Sequence, residues 1–156
     1  MPDLESIIGR LVEHHVEFVV VGGFAAAAHG STMLTVDVDV CIDLSPANLD
    51  RLHRAVVDLH PIHRMTPSRK PFEGAGADVK NIYLDTDWGQ LDCLGAVTGI
   101  GGYEAVLSES ELMELAAGPC RVLSLDALIL AKEALATPKD REAVLHLRAI
   151  REKRQS

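Results

Sequence analysis

The chain has 156 residues, of which 47% are hydrophobic and 24% charged, and a formal net charge of -8. That length and composition suit one ordinary globular domain and exclude a disordered chain, while the acidic balance argues against binding nucleic acid through the overall field, which needs Lys and Arg to neutralise phosphates. The three widely spaced cysteines, Cys41, Cys93 and Cys120, form neither a disulfide framework nor a zinc spacing, so free buried thiols in a reducing cytoplasm are expected, with no secretory leader and no membrane-spanning run.

Leu4, Ile7, Ile8, Leu11 and Val12 recur at helical spacing behind Asp3, an N-cap residue, which predicts a helix over 3–15. Val16 to Val21 reads as a buried strand stopped by a tight turn at Gly22 and Gly23. An alanine-rich helix, Phe24 to His29, leaves that turn, with His29 as a cap and Gly30 closing it. Val36 to Asp43 alternates apolar with mainly acidic residues and reads as a second strand. Ser45 and Pro46 open a helix whose inner face carries Leu49, Leu52, Ala55, Val56 and Leu59, ending near His60.

Prolines and glycines without period predict a long loop from Pro61 to Asp78. His60, His63, Arg64, Arg69 and Lys70 make that region locally basic, as a solvated loop or as a contact for an acceptor phosphate. Lys80 to Asp85 and Gln90 to Leu94 read as a hairpin about Asp87, Trp88 and Gly89, with Trp88 at its tip, where it could stack on a base. An irregular stretch follows, then a short strand from Arg121 to Leu123. Next comes a helix capped by Ser124 with Leu125, Leu128, Ile129 and Lys132 on one face, and a last helix opened by Thr137, Pro138 and Asp140. Nothing divides the chain, so a single α/β domain over residues 1–156 is expected.

The chemistry concentrates in VDVDVCID. A strand's period of two sends Asp37 and Asp39 to one face and Val36, Val38, Val40 and Ile42 to the other. Two carboxylates about 5 Å apart repel by roughly 3 kcal/mol at an effective dielectric near 20. No basic residue lies close in sequence to relieve them, and a divalent cation would. A solvated strand face is the alternative reading of such alternation. Cys41 shares the acid face as a buried thiol, and Asp43 is assigned to the turn at the strand end.

Joined to the strand, double glycine and helix ahead of it, VGGFAAAAHGSTMLTVDVDVCID resembles the signature of the nucleotidyltransferase superfamily, the polymerase-beta-like group. The resemblance implies a mixed sheet flanked by helices and a third acid on a neighbouring strand. Asp92 in GQLDCLG is favoured for that third acid, because Asp85 and Asp87 fall at a hairpin end or turn where Asp has conformational uses. The segment CRVLSLDALILAKEALATPKDREAVLHLRAI looks like the closing helix pair of the bacterial branch that includes abortive-infection type IV toxins, with Lys132, Lys139 and Asp140 on its recurring positions. From the residues alone, Lys132 lies on the apolar stripe, either as a snorkelling stem or aimed at a triphosphate, while Lys139 and Asp140 suit a helix start.

The resemblance implies Mg²⁺ or Mn²⁺ held by Asp37, Asp39 and Asp92, with a nucleoside triphosphate bound through Gly22, Gly23 and Lys132. A nucleoside monophosphate would then pass to the hydroxyl of an RNA, a protein or a small molecule. An antitoxin would be a possible partner. Met33 and Thr137 stand where that branch often carries arginines. They favour the rival reading of a non-catalytic nucleotide-binding or interaction module. A metal-dependent glycosyltransferase, which also uses Asp-x-Asp, is disfavoured by the Gly-Gly turn ahead of the acids.

Overall fold

The computed structural model describes residues 3–68, 70, 72 and 80–155; Arg69 and Asp78, and with them part of the expected basic loop, lie outside the described residues. Helix α1 (Leu4–Glu13) is capped by Asp3, whose carboxylate accepts from Ser6 N–H at 3.2 Å. It fully buries Ile7, Ile8 and Leu11, each contributing about 1.5–3 kcal/mol. Strand β1 (Phe18–Val21) is buried along its whole length. It runs straight into α2 (Gly22–Ala28), so the two glycines form the first turn of the helix rather than a separate turn before it.

Strand β2 (Asp37–Ile42) begins one residue later than the alternation suggests. Val36 therefore lies outside it and is 64% exposed instead of facing the core. Helix α3 (Pro46–Val56) starts with Ser45 as N-cap and passes into a 3-10 turn (Val57–Leu59), ending at His60 in the left-handed region. Strand β3 (Ile62–His63) then leads towards the hairpin of β4 (Asn81–Thr86) and β5 (Gly89–Leu94).

The stretch read as irregular is in fact structured: a small two-stranded ribbon of β6 (Ala96–Val97) and β7 (Gly101–Gly102), helix α4 (Tyr103–Ser108), and a hairpin of β8 (Ser110–Leu115) and β9 (Gly118–Leu123). The strand expected at Arg121 is twice as long as its apolar residues suggest. Helices α5 (Leu125–Leu135), capped by Ser124, and α6 (Pro138–Gln155) complete the chain as a packed pair.

The main sheet is mixed, in the order β3-β4-β5-β2-β1-β9-β8. The β5–β2 and β1–β9 pairs are parallel and the others antiparallel. Its centre is held by side chains as well as by the ladder. Buried Asn48 accepts from Glu17 N–H at 2.7 Å and donates to the carbonyls of Glu17 (3.0 Å) and Asp43 (2.7 Å). It thereby clamps the entry of β1 to the exit of β2. His29, also buried, donates through Nε2 to the Leu123 carbonyl at 2.8 Å. Because Arg154 can only donate, the contact at 3.1 Å makes Nδ1 the acceptor, and α2 is tied to both β9 and α6. All three cysteines are free and buried.

Candidate metal centre and nucleotide cavity

The register of the sheet builds the site. In the parallel β2–β5 pair Asp39 stands opposite Asp92, and Asp37 opposite Gln90. Directly paired residues project to the same face, so Asp37, Asp39 and Asp92 share it. Each offers an oxygen, and the three oxygens lie within 4.8 Å of one another. The antiparallel β1–β2 pair places Val21 opposite Asp39, which delivers Gly22 onto that carboxylate. Gly22 has φ 64°, and a Cβ built there would collide with Asp39 Oδ2. Only a residue without a side chain lets the backbone pass so close to the acid.

The electrostatics are those of an incompletely compensated cluster. Burial, reinforced by Asp37 and Asp92, pushes the Asp39 carboxyl up to about 7. Asp37 is also raised, by burial first and by Asp92 second, against the opposing pull of Arg64 and Lys139. An oxygen donor set on paired strands, with two of its carboxyls raised by burial and mutual repulsion, fits a hard metal such as magnesium or manganese. The thiols do not take part. Burial drives Cys41 up to about 11 and Cys93 higher still, leaving both as inert neutral groups.

A cavity of about 300 Å³ opens beside the acids. Gly22, Gly23, Asp37 and Asp39 line one side, and Lys132, Lys139 and His146 from the closing helix pair line another. Lys132 is held by Asp140 at 3.5 Å. Asp140 in turn forms a reciprocal cap with Thr137, accepting from its N–H and hydroxyl while Asp140 N–H donates back to Thr137 Oγ1 at 3.2 Å. Thr137 therefore works as the cap of α6. Lys139 lies in the first turn of α6, as its reading as a helix start has it, and also lines the cavity.

Of the rival acids, Asp85 shares the acid face and lies 3.6 Å from Arg64, whereas Asp87 is engaged elsewhere. Asp87 pairs with His60 at 2.6 Å, and Asp43 accepts from Ser45 N–H at 3.3 Å, serving the turn as expected. Trp88 is not a free platform for a base. It packs against the core under the Arg10 guanidinium, 4.8 Å from the ring centroid. Arg64, read from the sequence as part of a basic loop or an acceptor-phosphate contact, instead pairs with Asp92. Its backbone N–H bonds the Tyr83 carbonyl at 2.9 Å, its guanidinium lies over the Tyr83 ring, and its Nη2 donates to Asp92 Oδ1 at 2.5 Å.

No family model and no curated protein matches this sequence significantly. Solved structures do. A proposed nucleotidyltransferase from Thermotoga maritima, TM1012, superposes with a TM-score of 0.58 at 17% identity, covering 89% of this chain and 86% of its own. The fold is nucleotidyltransferase-like. The antibiotic-resistance factor ANT(2'')-Ia shares this nucleotidyltransferase-like fold at 19% identity in two structures. Its solution structure gives a TM-score of 0.53 over 96% of this chain and 89% of that one. Its crystal complex with adenylyl-2''-tobramycin gives 0.52 over 96% and 95%. No helix among the described residues is long and apolar enough to cross a membrane.

Proposed function

We propose that the protein is a metal-dependent nucleotidyltransferase, a single domain working in the cytoplasm. The observation that carries this reading is the convergence of Asp37, Asp39 and Asp92 within 4.8 Å, with Asp37 and Asp39 lining a cavity that Lys132 and Lys139 also line. Asp37 and Asp39 would hold Mg²⁺ or Mn²⁺ together with Asp92. The metal supplies charge neutralisation on the phosphates and acidifies the attacking hydroxyl. Gly22 and Gly23 offer backbone N–H groups at the start of α2, where no side chain caps them, to the β and γ phosphates. Lys132 and Lys139 offset the charge of the triphosphate.

Asp92 lies on β5, between β4 and β2, and would accept the proton of the acceptor hydroxyl. That oxygen bonds to the α-phosphorus as the bond to the pyrophosphate breaks, with no covalent enzyme intermediate. RNA, protein and small-molecule hydroxyls are the acceptor classes. The ANT(2'')-Ia complex, which holds an adenylylated small molecule, supports including the last. The likeness of the closing helices to the type IV toxins extends the proposal to a toxin–antitoxin component. Growth arrest on expression, relieved by a neighbouring gene, is the test of that extension.

The enzymatic proposal is tested by incubating the protein with labelled nucleoside triphosphates, Mg²⁺ and cell extract, then following label into RNA, protein and small molecules. Label must appear in wild type and vanish in Asp37→Asn. Nucleotide binding without labelling for all four bases would favour the non-catalytic module, to which Met33 and Thr137 point.

A further inference from the structure

Arg64 is placed by a short strand whose purpose is otherwise obscure. Pairing of β3 with β4 sets Ile62 opposite Asp85 and His63 opposite Leu84, so the next side chain crosses β4 towards β5. The register Tyr83↔Asp92 and Asp85↔Gln90 puts Tyr83, Asp85 and Asp92 on the face that carries Asp37 and Asp39. The guanidinium thus stands between two carboxylates. It is bonded to Asp92 at 2.5 Å and approaches Asp85 Oδ1 at 3.6 Å. That Asp85 oxygen is buried and has no hydrogen-bond partner. Arg64 would need to close less than about 1 Å to reach charge-assisted hydrogen-bond distance from it.

We propose that Arg64 is a positioning residue with two seats. On Asp92 it is the internal counter-ion of the metal-free site; on Asp85 it frees Asp92 to serve the metal and the acceptor hydroxyl. This rests on the metal-site reading above. Two effects oppose each other. Arg64 orders the Asp92 side chain, which would help a metal bind, and it places a positive charge beside the metal position, which would hinder it. The charge dominates: ordering one short side chain changes affinity only severalfold, whereas a unit charge a few ångströms from a divalent ion changes it by about tenfold or more even at an effective dielectric near 20. Arg64 therefore holds metal affinity down until a nucleoside triphosphate brings in its own negative charge, so that metal and nucleotide enter together. The spare oxygen of Asp85 receives the displaced guanidinium at that moment, which avoids leaving a partly buried cation without a partner.

The test is Mn²⁺ titration of the full chain, followed by the paramagnetic signal of the free ion, without nucleotide and with a non-hydrolysable ATP analogue. Arg64→Gln should bind Mn²⁺ about tenfold more tightly than wild type without nucleotide and gain less from the analogue, while Arg64→Lys stays near wild type. Asp85→Asn should weaken Mn²⁺ binding in the wild-type background and have little effect in the Arg64→Gln background. Unchanged or weaker binding by Arg64→Gln, in a variant whose circular dichroism and melting show a native fold, overturns the proposal. So does an Asp85→Asn effect that persists in full in the double variant. Failure of the metal site itself reads differently: neither wild type nor Arg64→Gln would then bind Mn²⁺ better than Asp39→Asn, with or without the analogue.

Discussion

Replacing Asp39 by Asn should stabilise the metal-free protein, and the size of the effect can be worked from the site. Asp39 titrates near 7 in the folded chain against an ordinary value of 3.8. That is a shift of about three units, each equivalent to about 1.4 kcal/mol. The sign follows from proton counting. Between 3.8 and about 7 the folded state keeps a proton that the unfolded state has lost, so stability falls as pH rises through that window and levels off above it. At pH 8 the wild type therefore carries the full penalty, at most about 4 kcal/mol, and the Asp39→Asn variant would carry none. For a chain of this size that corresponds to a rise in Tm of up to about 10 °C. Thermal unfolding in EDTA at pH 4, 5, 6, 7 and 8 tests it: the gap between the variant and wild type should be widest at pH 8 and close towards pH 4. Adding Mg²⁺ or Mn²⁺ should raise the wild-type Tm at pH 8 and leave that of the variant unmoved. A variant less stable than wild type at pH 8, or a gap independent of pH, would show that the clustered charge is not the controlling strain.

Other perturbations separate the remaining parts of the site. Gly22→Ala should lose about 1–2 kcal/mol by denaturant unfolding and abolish metal binding, because the new methyl meets Asp39 Oδ2 and the backbone is left-handed there. Lys132→Ala should weaken triphosphate binding by about tenfold in calorimetry, the scale of one charge-assisted contact, with no comparable loss of stability. Asp92→Asn should keep most of the nucleotide affinity in the same experiment while losing transfer. Label transfer that survived would send the search for the proton acceptor to Asp85. Asn48→Ala should cost about 2–3 kcal/mol without altering metal affinity, since it strands the Glu17 N–H and two carbonyls within the clamp.

The acid cluster of the candidate site was legible where chemistry and secondary structure share one segment. The alternation around Asp37 and Asp39 fixed both strand and face, and Asp92 stood out because it interrupts an apolar strand; the register then aligned it with Asp39. Gly22 was visible as a glycine, but its reason was not, because the close approach to Asp39 Oδ2 arises only when β1 and β2 pair. Arg64 and Lys139 were named, in a basic region and on a recurring position of the closing helix pair, but their places beside the acids were not legible. An arginine beyond a two-residue strand and a lysine in a helix's first turn look like ordinary surface charges until distant segments are docked. The missed hairpin has a different cause. SELMEL in β8 combines Leu, Met and Glu, which favour helices, on an edge strand where Leu112 is 64% exposed, so neither propensity nor a clean inward face marks it.

The place of β1 between β2 and β9 also governs the order in which the molecule can assemble as it leaves the ribosome. Phe18 to Val21 are buried on both sides of the finished sheet, yet the strand that covers their second edge comes from residues 118–123. Throughout most of synthesis this apolar edge stays open, the kind of template that invites pairing with another chain. The acids at 37 and 39 likewise emerge long before Lys132 and Lys139. A nascent chain can therefore present the acidic strand but not the lysines of the proposed nucleotide cavity, so the proposed activity requires the last two helices to have docked.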